Sequence, residues 1–205
     1  TLFDDVAVVV AATSESFVRA GLREVTLADY HAHYTRPIPD FYRRLLGRPL
    51  TEDEWRVLDA SFHTAYRRLI GSGAVDLVPG GRSLLADWVA DGGSQSLLSM
   101  WHHDELMKLV DRLGIDGLFV RIDGLRGTPG GVKAEYLRAH LASMDVDPAG
   151  AVVIGDSLDD AAAAQDVGSR AVLYSGGFHG PAGLADAGVP VVATLADAVA
   201  LARQR

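Results

Sequence analysis

Two aspartates follow a short apolar run in the last third of the chain. Ala151–Ile154 is apolar, Gly155 comes next, and Asp156 and Asp160 follow four positions apart. This pattern predicts a buried strand, a tight turn and then a helix. Two carboxylates on one helix face repel each other unless a cation lies nearby, and Mg²⁺ prefers carboxylate, water and phosphate oxygens. We therefore expect Asp156 and Asp160 to bind Mg²⁺, although capping of the helix by Asp156 or Ser157, with Asp160 solvated, fits the same residues.

A serine and a lysine stand where a phosphate site would need them. Ser99 ends a predicted strand, and its hydroxyl, with the backbone N–H groups of Met100 and Trp101, could hold phosphate oxygens. Lys133 follows the glycine-rich stretch 127–131 and opens a predicted helix. A cation there opposes the helix dipole unless it points at an anion. Each residue taken alone also fits an ordinary loop serine or surface lysine.

Strands and helices alternate from about Leu77 onward, which predicts the elements that position these side chains. The predicted strands are Ser96–Met100, Leu118–Ile122, Ala151–Ile154, Ala171–Tyr174 and Val189–Val192. The predicted helices between and after them are His103–Leu113, Lys133–Ser143, Asp159–Asp166 and Leu195–Arg203. Such alternation favours an α/β fold, a doubly wound parallel sheet with right-handed crossovers. Ligands of such sheets bind at the carboxyl ends of the strands, where the polar residues fall.

The polar residues, in this order, resemble the motifs of the haloacid dehalogenase superfamily of phosphatases. Ser99 resembles the second motif, Lys133 the third, and Gly155–Asp160 the fourth, a GDSxxD pattern. The helical segment 13–72 resembles the cap domain of a branch that includes phosphoglycolate phosphatase and β-phosphoglucomutase-like proteins. The resemblance covers nearly the whole chain. It implies a Rossmann-like core domain of residues 1–12 and 73–205 with an inserted cap domain of residues 13–72.

The resemblance also implies a role for each residue. Lys133 and Ser99 would hold the phosphoryl oxygens, and Asp156 would bind Mg²⁺. Asp160 would orient Lys133 or a metal-bound water, and Thr1 would brace the loop of an aspartate nucleophile.

The start of the sequence resembles only the end of the family's first motif. Thr1–Asp5 matches its threonine and the continuation after it. The nucleophile is therefore expected four positions before Thr1 and a second acidic residue two positions before. We interpret Asp4 and Asp5 as acids at the start of a helix instead, because no apolar strand precedes them. Without the strand that carries the nucleophile, two rows of backbone groups would lack partners.

Composition limits the partners of this chain. The 205 residues carry a net charge of −8 and include no cysteine, which argues against nucleic acid and excludes disulfides. No leader and no run of 18 apolar residues is present, so we expect a cytoplasmic protein without membrane contacts. Many alanines, glycines and arginines with few lysines are typical of a GC-rich bacterial genome. The expected partner is a small phosphorylated metabolite, and the protein is expected to be a monomer or a homodimer.

The function predicted from these residues is a Mg²⁺-dependent phosphatase that forms an aspartyl-phosphate. The alternatives are a 2-haloacid dehalogenase, a phosphomutase, or a catalytically inactive binding protein if the nucleophile is missing. The acidic pair argues against the dehalogenase, because a metal-free site gains nothing from two clustered carboxylates. Arg36 and Arg43 in the helical segment could bind a substrate carboxylate or phosphate, and His179 is expected to border the site.

Overall fold

The computed structural model describes residues 1–126 and 132–204, so the predicted glycine-rich loop 127–131 lies outside the described residues. Helices fill most of the first third of the chain. They are α1 (Val6–Arg19), α2 (Leu27–His33), α3 (Ile38–Leu46) and α4 (Glu52–Gly71). Helix α1 packs along α4. Helix α1 also runs without a break through position 12, the boundary predicted between core and cap, and the division into two domains stays a prediction.

Local sequence sets the starts of these helices. Thr26 and Thr51 each form a capping box, in which the threonine hydroxyl accepts a backbone N–H and the acid three residues later accepts the threonine N–H. Helix α3 begins directly after Pro37 and holds Pro39 in its first turn. Proline fits there because the N–H that it lacks would have no helical partner.

Strands and helices alternate in the rest of the chain, and the α/β class is confirmed. The strands are β1 (Phe3–Asp4), β2 (Asp76–Leu77), β3 (Ser96–His102), β4 (Arg121–Leu125), β5 (Val152–Gly155), β6 (Arg170–Tyr174) and β7 (Val191–Val192). The helices are α5 (Gly81–Ala90), α6 (His103–Leu113), α7 (Lys133–Ala142), α8 (Leu158–Val167), α9 (Gly180–Gly183) and α10 (Leu195–Ala202).

The parallel strands form two groups. Strand β3 pairs with β4, and β5, β6 and β7 pair in that order, all in parallel. Within the described residues, no strand pairing joins the two groups. Helix α7 lies against both, because Leu98 of β3 and Val153 of β5 pack on the same cluster that contains Leu137 and Leu141. The site residues within β3 and at the end of β5 are therefore held by one helix.

Two local predictions were wrong. The strand predicted at Leu118–Ile122 begins instead at Arg121, because a 3-10 turn occupies Asp116–Leu118. The apolar run suggested an earlier start, but the strand places Arg121 and Asp123 on one face, where they form an ion pair at 2.5 Å. Asp4 is not a helix residue: it lies in β1, opposite Asp76 of β2 in an antiparallel pair.

An aromatic cluster joins the helical third to the second half of the chain. Tyr30 and Tyr34 of the α2 region and Phe41 of α3 pack together, and the ring of Phe178, from the loop after β6, lies 5.3 Å from both tyrosines. Aromatic pairs at such distances bury large areas and stabilise the contact beyond that burial. The cluster therefore fixes the loop after β6 against α2.

Among residues 1–126 and 132–204, no helix is both long enough and apolar enough to cross a membrane.

Candidate functional site

Asp160 is the centre of a buried polar cluster at the carboxyl end of β5. Its side chain is 7 % exposed. One oxygen, Oδ1, accepts a hydrogen bond from the ammonium group of Lys133. The other, Oδ2, accepts the N–H groups of Asp156 at 3.1 Å and Ser157 at 3.0 Å and the Ser157 hydroxyl at 2.7 Å. Both oxygens are therefore used within the protein.

These contacts set the charge of Asp160. Burial by itself would raise the pKa of this carboxyl group, but the Lys133 charge and the hydrogen bonds from Lys133, Ser157 and the Asp156 N–H lower the pKa to about 2. The carboxylate is ionised at neutral pH and holds the ammonium group in place. This geometry favours the role of orienting Lys133. A role of Asp160 as a metal ligand stays a prediction.

Asp156 has a different environment. Its side chain is 13 % exposed and accepts a hydrogen bond from the Thr1 hydroxyl, and the Thr1 backbone nitrogen lies 3.0 Å from Asp156 Oδ1. No lysine or arginine pairs with Asp156 in the part of the chain that the structure describes. A largely buried carboxylate without a cationic side chain can bind an external cation.

Two glycines allow the carboxylates to lie this close to the backbone. A Cβ atom at Gly155 would lie 2.3 Å from the Cβ of Asp160. A Cβ atom at Gly177, in the loop after β6, would lie 2.0 Å from Asp156 Oδ2 and 2.7 Å from its Cβ. No real side chain tolerates such distances, so only glycine fits at either position.

Ser99 was predicted to end its strand, but it lies within β3, which continues to His102; it directly follows Leu98, where the regular pairing with β4 ends. Its hydroxyl oxygen accepts the Trp101 N–H at 3.2 Å, within the stretch Leu98–His102 where the register of β3 shifts. The Trp101 ring packs edge-on against Tyr66 at 5.4 Å and joins the hydrophobic core. Among the described contacts, none joins the Ser99 hydroxyl directly to Lys133 or to the aspartates. Phosphate binding by Ser99, Met100 and Trp101 stays a prediction.

One buried acid near the site was not identified as functional from the sequence. Asp5 occupies the N-cap position of α1, yet its side chain does not cap the helix. It accepts the Tyr66 hydroxyl at 2.9 Å instead, and burial raises the pKa of Asp5. Tyr66 lies in α4, 61 positions away, so no local pattern could have predicted this pair.

His179 lies beside the carboxylates, as the sequence suggested. It is 9 % exposed, and its ring packs edge-on against Tyr34 at 4.9 Å. Burial lowers the pKa of His179, although the charges of Asp156, Asp159 and Asp160 act in the opposite direction. The imidazole is therefore neutral at neutral pH and can donate or accept a hydrogen bond.

A cavity of about 320 Å³ lies between the α2–α3 region and the start of α8. Side chains that line it include His31, Tyr34, Arg36, Arg44, Asp159 and His179. Arg36 Nε lies 3.3 Å from Asp159 Oδ2. Of the two arginines that the sequence suggested for binding a substrate anion, Arg36 lines the cavity and Arg43 does not: Arg44 lines it instead, and Arg43 pairs with Asp40 of its own helix. The sequence pattern could not distinguish neighbouring arginines on α3.

No group of three or more histidine, aspartate or glutamate side chains in residues 1–126 and 132–204 is placed to hold a metal ion. The chain does not present a complete protein-only metal centre within this range. Metal binding at Asp156 would need additional ligands, as is usual for Mg²⁺, which keeps several waters and binds substrate phosphate.

Comparisons with known proteins agree with this fold. Residues 130–198 match the family model described as HAD-hydrolase-like. No curated protein sequence matches the chain.

Solved structures cover almost all of the chain. A haloacid dehalogenase-like family hydrolase from Streptococcus pneumoniae superposes with a TM-score of 0.83 at 18 % identity, over 98 % of this chain and 93 % of that one. A predicted phosphatase from Clostridium acetobutylicum superposes with a TM-score of 0.83 at 16 % identity, also over 98 % of this chain and 93 % of that one. A predicted phosphoglycolate phosphatase from Haemophilus somnus superposes with a TM-score of 0.77 at 17 % identity, over 99 % of this chain and 94 % of that one.

The family model includes Lys133 and the cluster around Asp156 and Asp160, and the superpositions extend to the helical third of the chain. Structural matches with sequence identities below 20 % show that the fold is shared but do not identify the substrate. The predicted resemblance is thus confirmed. The chain has the haloacid dehalogenase-like fold, and the sequence of its C-terminal third matches the family model.

Proposed function

We propose that the protein is a phosphatase that hydrolyses a small phosphomonoester through an aspartyl-phosphate. The observation that carries this proposal is the placement of the Lys133 ammonium group by buried Asp160, next to Asp156 at the end of β5. Phosphoryl transfer is catalysed mainly by positioned positive charge, because charge spreads over the phosphoryl oxygens in the transition state. The fold comparisons support this reaction class.

Lys133 and Ser99 would hold the phosphoryl oxygens. Asp160 acts on the substrate only through Lys133: it fixes the direction of the ammonium group and offsets part of its charge. Side chains that are fixed before the substrate arrives lose little entropy in the transition state. The buried cluster therefore prepares the site for an anionic phosphoryl group.

Asp156 fits a Mg²⁺ ion. Its carboxylate oxygens are hard ligands, and its side chain is largely buried. Gly177, which lies next to Oδ2, has no side chain that would cover this oxygen. When bound, Mg²⁺ would neutralise negative charge on the phosphoryl group. Asp156 would supply one ligand, and water and substrate would supply others.

The nucleophile is proposed to lie four positions before Thr1, with the second acidic residue two positions before. This part rests on the resemblance of Thr1–Asp5 to the family's first motif and on the contact between Thr1 and Asp156. The nucleophilic carboxylate would attack phosphorus while the bond to the leaving oxygen breaks. The second acid would give that oxygen a proton and then take one from the water that hydrolyses the aspartyl-phosphate.

Strand exposure supports the same arrangement. Every residue of β3 is only partly buried, and so are Val152, Val153 and Ile154 of β5. Strands in the middle of a parallel sheet are normally buried on both faces and paired on both edges. A strand that precedes Thr1 and pairs with β3 and β5 would bury these residues and deliver the nucleophile beside Asp156.

The test is hydrolysis of p-nitrophenyl phosphate by the protein with its natural N-terminal residues, with Mg²⁺ and with a chelator. We expect metal-dependent activity that falls at least about 100-fold in Asp156→Asn and in Lys133→Ala. Lys108→Ala is the matched control, because Lys108 is exposed and pairs with Glu105 on the surface of α6. It should keep full activity.

Folded protein that carries the upstream aspartate but shows no activity would contradict the proposal. Chloride release from a 2-haloacid without metal would assign the dehalogenase instead.

A further inference from the structure

A buried histidine lies two turns after Lys133 on helix α7. Lys133 opens the helix and His140 follows seven positions later, which places both side chains on nearly the same face, about 10 Å apart along the helix axis. His140 is only 3 % exposed. The direction of the Lys133 ammonium group therefore depends on the position of a helix that carries a buried polar side chain near its other end.

His140 contacts a carboxylate of strand β4. Its Nδ1 atom lies 2.6 Å from Asp123 Oδ2, and Arg121 Nε lies 2.5 Å from the same oxygen. Burial by itself would raise the pKa of Asp123, but the hydrogen bonds from Arg121 and His140 lower this pKa below its ordinary value. Because the ionised carboxylate has no proton to give, the His140 Nδ1–H group donates the hydrogen bond, and the charged acceptor makes it a strong one.

The other nitrogen of the same ring contributes no stability. Within the described residues, His140 Nε2 is buried and has no hydrogen-bond partner. A buried polar atom without a partner lowers the stability of the folded state, so an apolar side chain such as leucine would suit this position better if packing alone mattered. The contact between Nδ1 and Asp123 is therefore what distinguishes histidine from an apolar residue here.

Apolar packing alone does not fix the rotation of α7. The leucines of this helix pack on apolar residues of β3 and β5, and such contacts permit small shifts because hydrophobic burial has no preferred direction. The hydrogen bond from His140 to Asp123 is directional and reaches β4. Together with the contact between Lys133 and Asp160 in the first turn, it holds the helix near both ends.

We propose that His140 is a positioning residue for phosphoryl transfer: by holding α7 on Asp123 of β4, it fixes the direction in which Lys133 meets the phosphoryl oxygens. The inference rests on the proposed phosphatase function and deepens it. Neither His140 nor Asp123 contacts the substrate in this role. A misdirected ammonium group should slow the chemical step more than it weakens substrate binding, because its contact with the phosphoryl oxygens is strongest in the transition state.

The first readout is the hydrolysis of p-nitrophenyl phosphate by the protein with its natural N-terminal residues. His140→Leu should lower kcat about tenfold or more and change KM less than about threefold, since a displacement of about 1 Å can cost about 100-fold in rate. His140→Asn keeps an N–H group near the position of Nδ1 and should recover most of kcat. Leu141→Ala is the control, because it removes buried packing from the same helix. It should lower the free energy of unfolding and leave kcat nearly unchanged.

The second readout reports on Lys133 directly and needs no activity. The 205 residues contain only two lysines, Lys108 and Lys133, so lysine labelled with ¹³C at Cε gives NMR signals that Lys108→Arg and Lys133→Arg assign. His140→Leu should shift the signal of Lys133 and leave that of exposed Lys108 unchanged. Asp123→Ala removes the same contact from the other side and should shift the Lys133 signal in the same direction. The double variant should have no larger effect than the stronger single one, because both substitutions remove one contact.

The outcomes separate this inference from the proposed function. A lower kcat in His140→Leu that recovers in His140→Asn, with a shift confined to the Lys133 signal, supports the positioning role. An unshifted Lys133 signal, an equal shift in Leu141→Ala, or a signal that does not return towards its original position in His140→Asn would overturn it.

Failure of either assay has a defined meaning. If no phosphate ester is hydrolysed, the proposed function fails and the NMR signals alone decide whether His140 positions Lys133. If His140→Leu does not fold, Asp123→Ala and His140→Asn provide the same comparison, and an unshifted Lys133 signal in Asp123→Ala overturns the inference.

Discussion

Replacing Asp160 with asparagine should destabilise the protein strongly, because it leaves Lys133 without its partner. Asparagine keeps the shape of the side chain and one oxygen for the N–H groups of Asp156 and Ser157. The substitution removes mainly the charge. The Lys133 side chain is only 20 % exposed, so water compensates for little of the loss.

The size of the effect follows from burial and from the pKa. A carboxyl pKa lowered from its ordinary value to about 2 corresponds to about 2–3 kcal/mol of folding free energy at neutral pH. Removing one partner of a buried ion pair costs about 3–5 kcal/mol. We therefore expect Asp160→Asn to lower the free energy of unfolding by about 2–5 kcal/mol, a large share of the 5–15 kcal/mol that is typical of a folded domain.

The pH dependence has a definite sign. The folded pKa of Asp160 lies below that of an unfolded aspartate, about 3.9, so its contribution is complete above about pH 4 and is lost as the pH falls through about 2. The difference in stability between the unmodified protein and Asp160→Asn should be constant from neutral pH to about pH 5. It should then shrink at lower pH.

The assay is urea unfolding, with Asp159→Asn as the control. Asp159 is the neighbouring aspartate, but its pair with Arg36 is about 40 % exposed on both sides, and such pairs contribute about 0–1 kcal/mol. Equal destabilisation by the two substitutions, or a difference that does not change between pH 5 and pH 2, would refute the reasoning that Asp160 is a buried, ionised partner of Lys133.

Two further predictions concern the same site. Gly177→Ala would place a Cβ atom 2.0 Å from Asp156 Oδ2 and must displace that carboxylate by about 1 Å, so phosphatase activity should fall about 100-fold. The control is Gly150→Ala, whose Cβ atom meets no atom within 4 Å and which should leave activity unchanged. Equal activities of the two variants would contradict the steric argument. Tyr66→Phe removes the hydroxyl that donates to buried Asp5 and should lower the free energy of unfolding by about 1–3 kcal/mol. Because burial raises the pKa of Asp5 above its ordinary value and only the ionised carboxylate depends strongly on this donor, the urea unfolding loss should be largest at neutral pH and shrink as the pH falls to the ordinary pKa of an aspartate. A loss that does not change with pH would contradict it.

Much of the fold was predictable because its signals are local. The capping boxes at Thr26 and Thr51, the alternation of strands and helices, and the glycine that ends β5 all depend on residues a few positions apart. The short pair of β1 and β2 was not predicted. Two-residue strands that are 72 positions apart along the chain leave no periodic pattern to detect.

The candidate site was predictable in residue type but not in contacts. The spacing of Asp156 and Asp160 indicated a charged site, yet the sequence left open whether Asp160 binds a metal, is solvated or orients Lys133. Its burial and its hydrogen bonds favour the last of these. The order of the motifs gave no reason to prefer any of them, because burial depends on elements distant in sequence.

The sequence by itself determined the class of the fold, the order of the motifs and the residue types at the end of β5, because each depends on local spacing and hydrophobic pattern. Only the tertiary structure decided which charges pair. Tyr66 reaches Asp5 across 61 positions, and Phe178 fixes a distant loop against Tyr34. The tertiary structure also placed Arg44 rather than Arg43 in the cavity. Neighbouring side chains on a helix point in different directions, and which of them lines a cavity depends on the surface that faces the helix.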